Sequence, residues 1–131
     1  MVHQILIEEG NYPADEAFLL TPGYTGMVVE DATIEVYLDE NDQRCVRGRA
    51  MATNLSLVEL LEDYDDVDLL LDLGGQFKYL LKTPTLKAGK VFSPDVKSII
   101  HFVAHSPLEK LEEDRYKRMR DRISLVDQEG K

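Results

Sequence analysis

The chain of 131 residues has one cysteine, no tryptophan and no hydrophobic run near the roughly 20 residues that cross a bilayer. Cys45, being alone, forms no internal disulfide, which fits a reducing compartment. The N-terminus lacks a basic region and a small-residue cleavage site, so no secretory signal is expected and the setting read from the sequence is cytoplasmic, in the protein's own cell or in an infected host. Also missing are Gly-x-Ser-x-Gly, a phosphate-binding loop and a dinucleotide fingerprint, so no nucleophile or cofactor motif indicates an enzyme, and no cofactor is expected.

Positive charge is scarce over the first three-fifths of the chain. Residues 1–76 carry 17 acidic residues against 3 arginines, a net of −14, whereas residues 77–131 carry 8 acidic and 12 basic residues, a net of +4. Such a split bears on solubility, steering and choice of partner, not on fold. The length fits one domain (residues 1–131: 1–92 mainly β, 93–126 helical, 127–131 a frayed tail). An apolar content of 44% with 31% charged residues is ordinary for a globular chain.

What is present reads as α+β: an antiparallel sheet of about five strands, built on two hairpins, with two C-terminal helices. Residues 2–8 are β-branched enough for a strand. Residues 10–26, rich in Gly and Pro, read as a loop with one helical turn at Pro13–Leu20. Residues 27–52 alternate as a hairpin about Asp39-Glu40-Asn41-Asp42. Val46, Gly48, Ala50 and Ala52 share the inward face, and their small size implies a close neighbour such as a helix. The capping box Ser56-Leu57-Val58-Glu59 opens a short helix, Leu57 to about Tyr64.

The segment 67–82 turns at Gly74-Gly75. A two-residue loop would bury Asp68 and Asp72 among Phe77, Tyr79 and Leu81, at a cost of several kcal/mol. An odd loop, 73–75 or 74–76, gathers Leu69, Leu71, Leu73, Phe77, Tyr79 and Leu81 on one face and pairs the two Asp with Lys78 and Lys82 on the other. After a loop at Pro84–Gly89, a short strand is expected at Lys90–Phe92. Ser93-Pro94-Asp95 then starts a helix with Val96, Ile99, Ile100 and Val103 as its apolar stripe. Ser106-Pro107-Leu108-Glu109 starts another, from Pro107 to about Leu125, acidic first and basic last as the macrodipole favours. The expected core is Ile5, Ile7, Ile34, Val36, Leu38, Leu69, Leu71, Phe77, Tyr79, Leu81, Ile99, Ile100 and Val103.

Three constellations carry functional readings. The run Glu59, Glu62, Asp63, Asp65, Asp66, Asp68 forms a negative docking surface for a protein partner, most naturally a basic one, and fails the EF-hand spacing. The leading reading is therefore a small acidic, non-catalytic protein-binding module: an inhibitor, immunity factor, phage antagonist or assembly subunit. The thin stripe Leu108, Leu111, Tyr116, Met119, Ile123 offers a candidate oligomer face, or lies against the acidic part of the same chain. His101 and His105, four apart on an expected helix, have the spacing of two metal ligands, the basis of an alternative metal-dependent enzyme or switch; Phe102 stands where a zinc protease needs Glu. Arg115, Lys117, Arg118, Arg120 and Arg122 resemble a nucleic-acid surface, but the acids one turn away and the rest of the chain repel phosphates. The cross-strand partners expected for Arg44, Arg47 and Arg49 are Glu35 and Asp39.

Overall fold

The computed structural model describes residues 8–53, 56, 57, 60, 66–75, 77–88, 97–104 and 108–125. Among them the elements are β1 (Gly10–Pro13), β2 (Glu16–Leu20), β3 (Thr25–Leu38), β4 (Arg44–Thr53), β5 (Asp68–Asp72), β6 (Lys78–Leu81), β7 (Thr85–Ala88), β8 (Lys97–Val103), β9 (Glu109–Leu111), α1 (Glu113–Arg122) and β10 (Ser124–Leu125). The α+β class holds, but the sheet has ten strands, about twice the number expected, and one C-terminal helix stands where two were predicted. The order is β7-β8-β4-β3-β2-β5-β6-β9, with β1 and β10 also on β3. Every pairing is antiparallel except the two-residue parallel contact of β10 with β3.

The long strand β3 serves two half-sheets. Met27 and Val29 point into the core, and so do Ala32, Ile34 and Val36, although strict alternation from Val29 would place Asp31 inside. The register shifts between Glu30 and Thr33, both Glu30 and Asp31 face solvent, and Asp31 sits at φ 51°. This is a β-bulge: one extra residue, in a left-handed conformation that Asp tolerates, returns the apolar set to the inner face and bends the strand. Beyond the bulge β3 pairs with β1 and β4; before it, with β2 and β10. Side chains of both halves meet in one core, Ile34, Val46, Ile100 and Phe102 from one and Leu19, Leu69, Leu71 and Tyr79 from the other.

The close neighbour of the small residues on β4 is an aromatic ring. Gly48 pairs with Phe102 across the β4–β8 ladder, and a Cβ at Gly48 would collide with that ring and with the Thr33 carbonyl. A helix is not needed there.

The hairpin β5–β6 has the odd register: Asp72 faces Lys78, Leu71 faces Tyr79 and Leu69 faces Leu81. Leu73 N–H donates to the Phe77 carbonyl at 2.8 Å, leaving 74–76 as the loop, with Gly74 and Gly75 at positive φ. The face opposite the core is also buried. Phe18, Leu20, Leu70 and Leu80 form a second cluster with Leu111, Tyr116 and Met119, so β2, β5 and β6 lie between the main core and α1. The helix carries Glu113 and Asp114 in its first turn and Arg120 and Arg122 in its last, matching the macrodipole.

Several expectations are corrected. Residues 97–103 form a strand: Ile100 and Phe102 are buried while Ile99 and Val103 face solvent, a period of two. Three β-branched residues in this segment, with β4 and β7 pairing on its two sides, favour strand over helix. The supposed loop 10–26 holds β1 and β2; Pro13 closes β1, an edge strand where a missing N–H is tolerated. The supposed loop Pro84–Gly89 holds β7, and the helix predicted over 107–125 shortens to α1, flanked by β9 and β10. Leu38, at the hairpin end, and Phe77, beside the glycine loop, leave the expected core with Ile99 and Val103, each of the four at least 40% exposed. Leu57 and Leu60 are helical, within the short helix expected from Leu57, and Ser56, expected as its cap, is already helical; all three are buried. The strands expected at 2–8 and 90–92, with core residues Ile5 and Ile7, lie essentially outside the described residues.

The tight approach at Gly48 gives a direct test. Gly48→Ala is expected to destabilise the protein by about 1–3 kcal/mol through overpacking. Adding Phe102→Leu is expected to recover part of that loss, a non-additivity that a double-mutant cycle by chemical denaturation measures.

Candidate functional site

Under α1 the acidic and basic parts of the chain meet. Glu16, at the start of β2, accepts a hydrogen bond from Tyr116 Oη at 2.9 Å and another from Arg120 Nη1 at 3.1 Å, both on Oε1. Tyr116 is fully buried. Burial first, then the bond to Glu16 and its charge, lift the Tyr116 hydroxyl far above the ordinary tyrosine range, and the same carboxylate raises Arg120. Lys78, also buried, donates to the Gly75 carbonyl at 2.6 Å and to Asp72 Oδ1 at 3.3 Å, with its ammonium 5.5 Å from the centre of the Tyr116 ring. Asp72 also accepts from Gly74 N–H at 2.8 Å. Every polar group of this layer is engaged with another, which makes it a clamp between helix and sheet.

The stripe read as a candidate oligomer face is used within the chain. Leu108, Leu111, Tyr116 and Met119 are buried, and Ile123 packs half-buried beside them, against the protein's own sheet. The cations of α1 are largely matched too: Arg115 with Glu109 at 2.8 Å, Lys117 with Glu113 at 3.9 Å and Arg120 with Glu16, while the Arg122 guanidinium stacks 4.2 Å from the Tyr24 ring centre.

Of the acidic run, Asp66 is exposed and Asp68 is tied down, accepting from Lys82 Nζ at 3.3 Å and Thr83 N–H at 2.9 Å. Glu59, Glu62, Asp63 and Asp65 lie outside the described residues. The pairings of Asp72 with Lys78 and Asp68 with Lys82 are those the hairpin register required.

Two shallow hollows mark the described surface. One, of about 420 Å³, lies at the bulge and is lined by Asp15, Glu16, Glu30 and Asp31 with the apolar Phe18 and Val28. The other, of about 520 Å³, lies on the outer face of the β1–β3–β4–β8 half-sheet and is lined by Asn11, Thr33, Glu35, Arg47, Gly48, Arg49 and His101. Within it Arg47 Nε donates to Glu35 Oε1 at 2.7 Å and stacks 4.3 Å from the Tyr37 ring centre. That bond holds the Glu35 carboxyl below its ordinary range. At the hairpin tip, N–H groups of Gln43 and Asn41 lower Asp39; burial and the Asp39 charge raise the half-buried Cys45 thiol, which disfavours a reactive thiolate.

His101 projects from a strand, not a helix, so the helical spacing that joined it to His105 does not exist there. His105 lies outside the described residues, and among these no group of three or more His, Cys, Asp or Glu is placed to hold a metal. The outer-face hollow escaped sequence reasoning because it draws on four strands, one of which carries an apolar spacing that also fits a helix. Only the Glu35–Arg47 pair was legible. Comparison with protein-family models, curated proteins and solved structures finds no match to the chain.

Tyr116→Phe is expected to cost about 1.5–3 kcal/mol, the worth of a hydrogen bond to a charged group. The tyrosine ionises near its ordinary value of 10.0 in the unfolded chain and far higher in the fold. Its contribution is therefore complete below pH 10 and is lost progressively as pH climbs above that value. Urea titrations across alkaline pH are expected to show a shallower loss of stability in the Phe variant.

Proposed function

We propose that the protein is a small acidic, non-catalytic module that binds another protein, one with a basic surface, through the carboxylates Glu59, Glu62, Asp63, Asp65, Asp66 and Asp68. The observation that carries this reading is how the C-terminal cations are paired. Among the described residues Arg115 and Lys117 are spent on Glu109 and Glu113 of the same part, and Lys78, Lys82, Lys97 and Arg120 meet only Asp72, Asp68, Glu30 and Glu16 of the 17 acidic residues of 1–76, so most of that acidic excess stays uncancelled. An uncancelled negative field steers basic partners and speeds their encounter.

Inhibition, immunity, antagonism or subunit assembly in the cytoplasm are the settings that fit. Self-assembly through the C-terminal helix receives no support, because its apolar stripe is already covered.

The test is affinity capture from native cells with stepped salt elution, comparing the wild type with Glu59→Lys, Glu62→Lys, Asp63→Lys, Asp65→Lys combined. Basic proteins are expected to be retained by the wild type, released by moderate salt, and lost from the variant. Identical retention by both would end the proposal.

A further inference from the structure

Arg47 faces Glu35 and Lys78 faces Asp72 across the ladder, each as an ion pair. One row has a different make-up. Across the outer face of β4, β8 and β7 the register aligns Arg49 with His101 and His101 with Lys87. All three side chains are exposed, and none has a hydrogen bond or ion pair with another described residue. With strands about 4.8 Å apart, two cations and an imidazole fall within roughly 10 Å. No carboxylate lies in this row, so its nitrogen donors remain open to a ligand from outside the chain.

Its surroundings define what fits. Two residues along β8 on either side of His101, on the same face, stand Ile99 and Val103, 49% and 40% exposed. Thr33 extends the row onto β3. The surface therefore joins unneutralised cationic donors to aliphatic flanks, and we propose that it docks an acidic polypeptide segment carrying aliphatic side chains. A nucleic acid suits it less: bases need an aromatic platform, and the nearby ring, Tyr37, is covered by Arg47. A second copy of the chain would set the same cationic row against itself and offers it no complementary charge. This face is separate from the acidic surface proposed above and of opposite sign.

Fluorescence anisotropy with a labelled 12-residue peptide of glutamate interrupted by leucine and valine tests the assignment. Arg49→Glu/Lys87→Glu is expected to weaken binding at low salt by about tenfold or more, as far as charge reversal at two contacts reaches. Ile99→Ser/Val103→Ser is expected to weaken it severalfold, and raised salt to weaken the wild type but not the charge-reversed protein. Arg49→Gln/Lys87→Gln, with an unchanged melting curve, serves as the milder variant. Peptide affinity indifferent to the Arg49 and Lys87 changes would overturn the proposal. So would tighter binding of oligothymidylate than of the peptide, lost in the same variants, or a dimer in sedimentation of the protein alone that those variants dissolve. None of these substitutions touches residues 59–68, so the two surfaces stand or fall separately.

Discussion

One extra residue in β3 determines how the rest of the sheet is arranged. At Glu30 and Asp31 the alternation skips a beat, and the strand can then present Met27 and Val29, and after them Ala32, Ile34 and Val36, to a single interior. Without the skip, one half of β3 would turn its apolar side chains to water, because a one-residue slip exchanges the two faces. The bend that accompanies the bulge lets β1 and β4 pair with one half of the strand and β2 and β10 with the other. The core is the space these halves enclose, and Phe102 over Gly48 shows how closely it is filled.

A second constraint is electrostatic. The acidic first part and the mildly basic last part do not simply attract; they are joined at defined atoms, Glu16 with Tyr116 and Arg120, beside Asp72 with Lys78. These bonds sit at a partly dry junction, where a partner left alone is costly. The surface retains what the clamp does not use: carboxylates in excess, and one short row of nitrogen donors on the outer sheet face. Both proposed binding surfaces are remainders of this internal matching.

Legibility followed the strength of local contrast. The β5–β6 register was readable because a wrong parity would have buried Asp68 and Asp72 among aromatics, a penalty visible without coordinates. The inward run Val46, Gly48, Ala50, Ala52 was readable by alternation, although the neighbour it anticipated proved to be Phe102. Strand β2 was hidden because Ala17–Leu20 is apolar on both faces and sits between Pro and Gly signals; a strand buried on both sides shows no alternation. Strand β8 was misread because Ile99, Ile100 and Val103 satisfy a helical spacing as well as a β-branched composition. That misreading also concealed the row Arg49–His101–Lys87, which exists only through register between strands distant in sequence. Of the candidate surfaces, the acidic one could be drawn from composition alone, and the cationic one required the ladder.

The placement of α1 has a consequence for the order in which the molecule completes itself. Phe18, Leu20, Leu70 and Leu80 belong to strands that precede their cover in the chain: Leu111, Tyr116 and Met119 all follow them in sequence. During synthesis the greasy back of the central strands waits, uncovered, until residues 111–119 leave the ribosome, and contacts this distant in sequence close slowly. A nascent or clipped chain is thus the form of this protein most prone to clumping, and the heavily acidic composition of its first half supplies mutual repulsion during that interval.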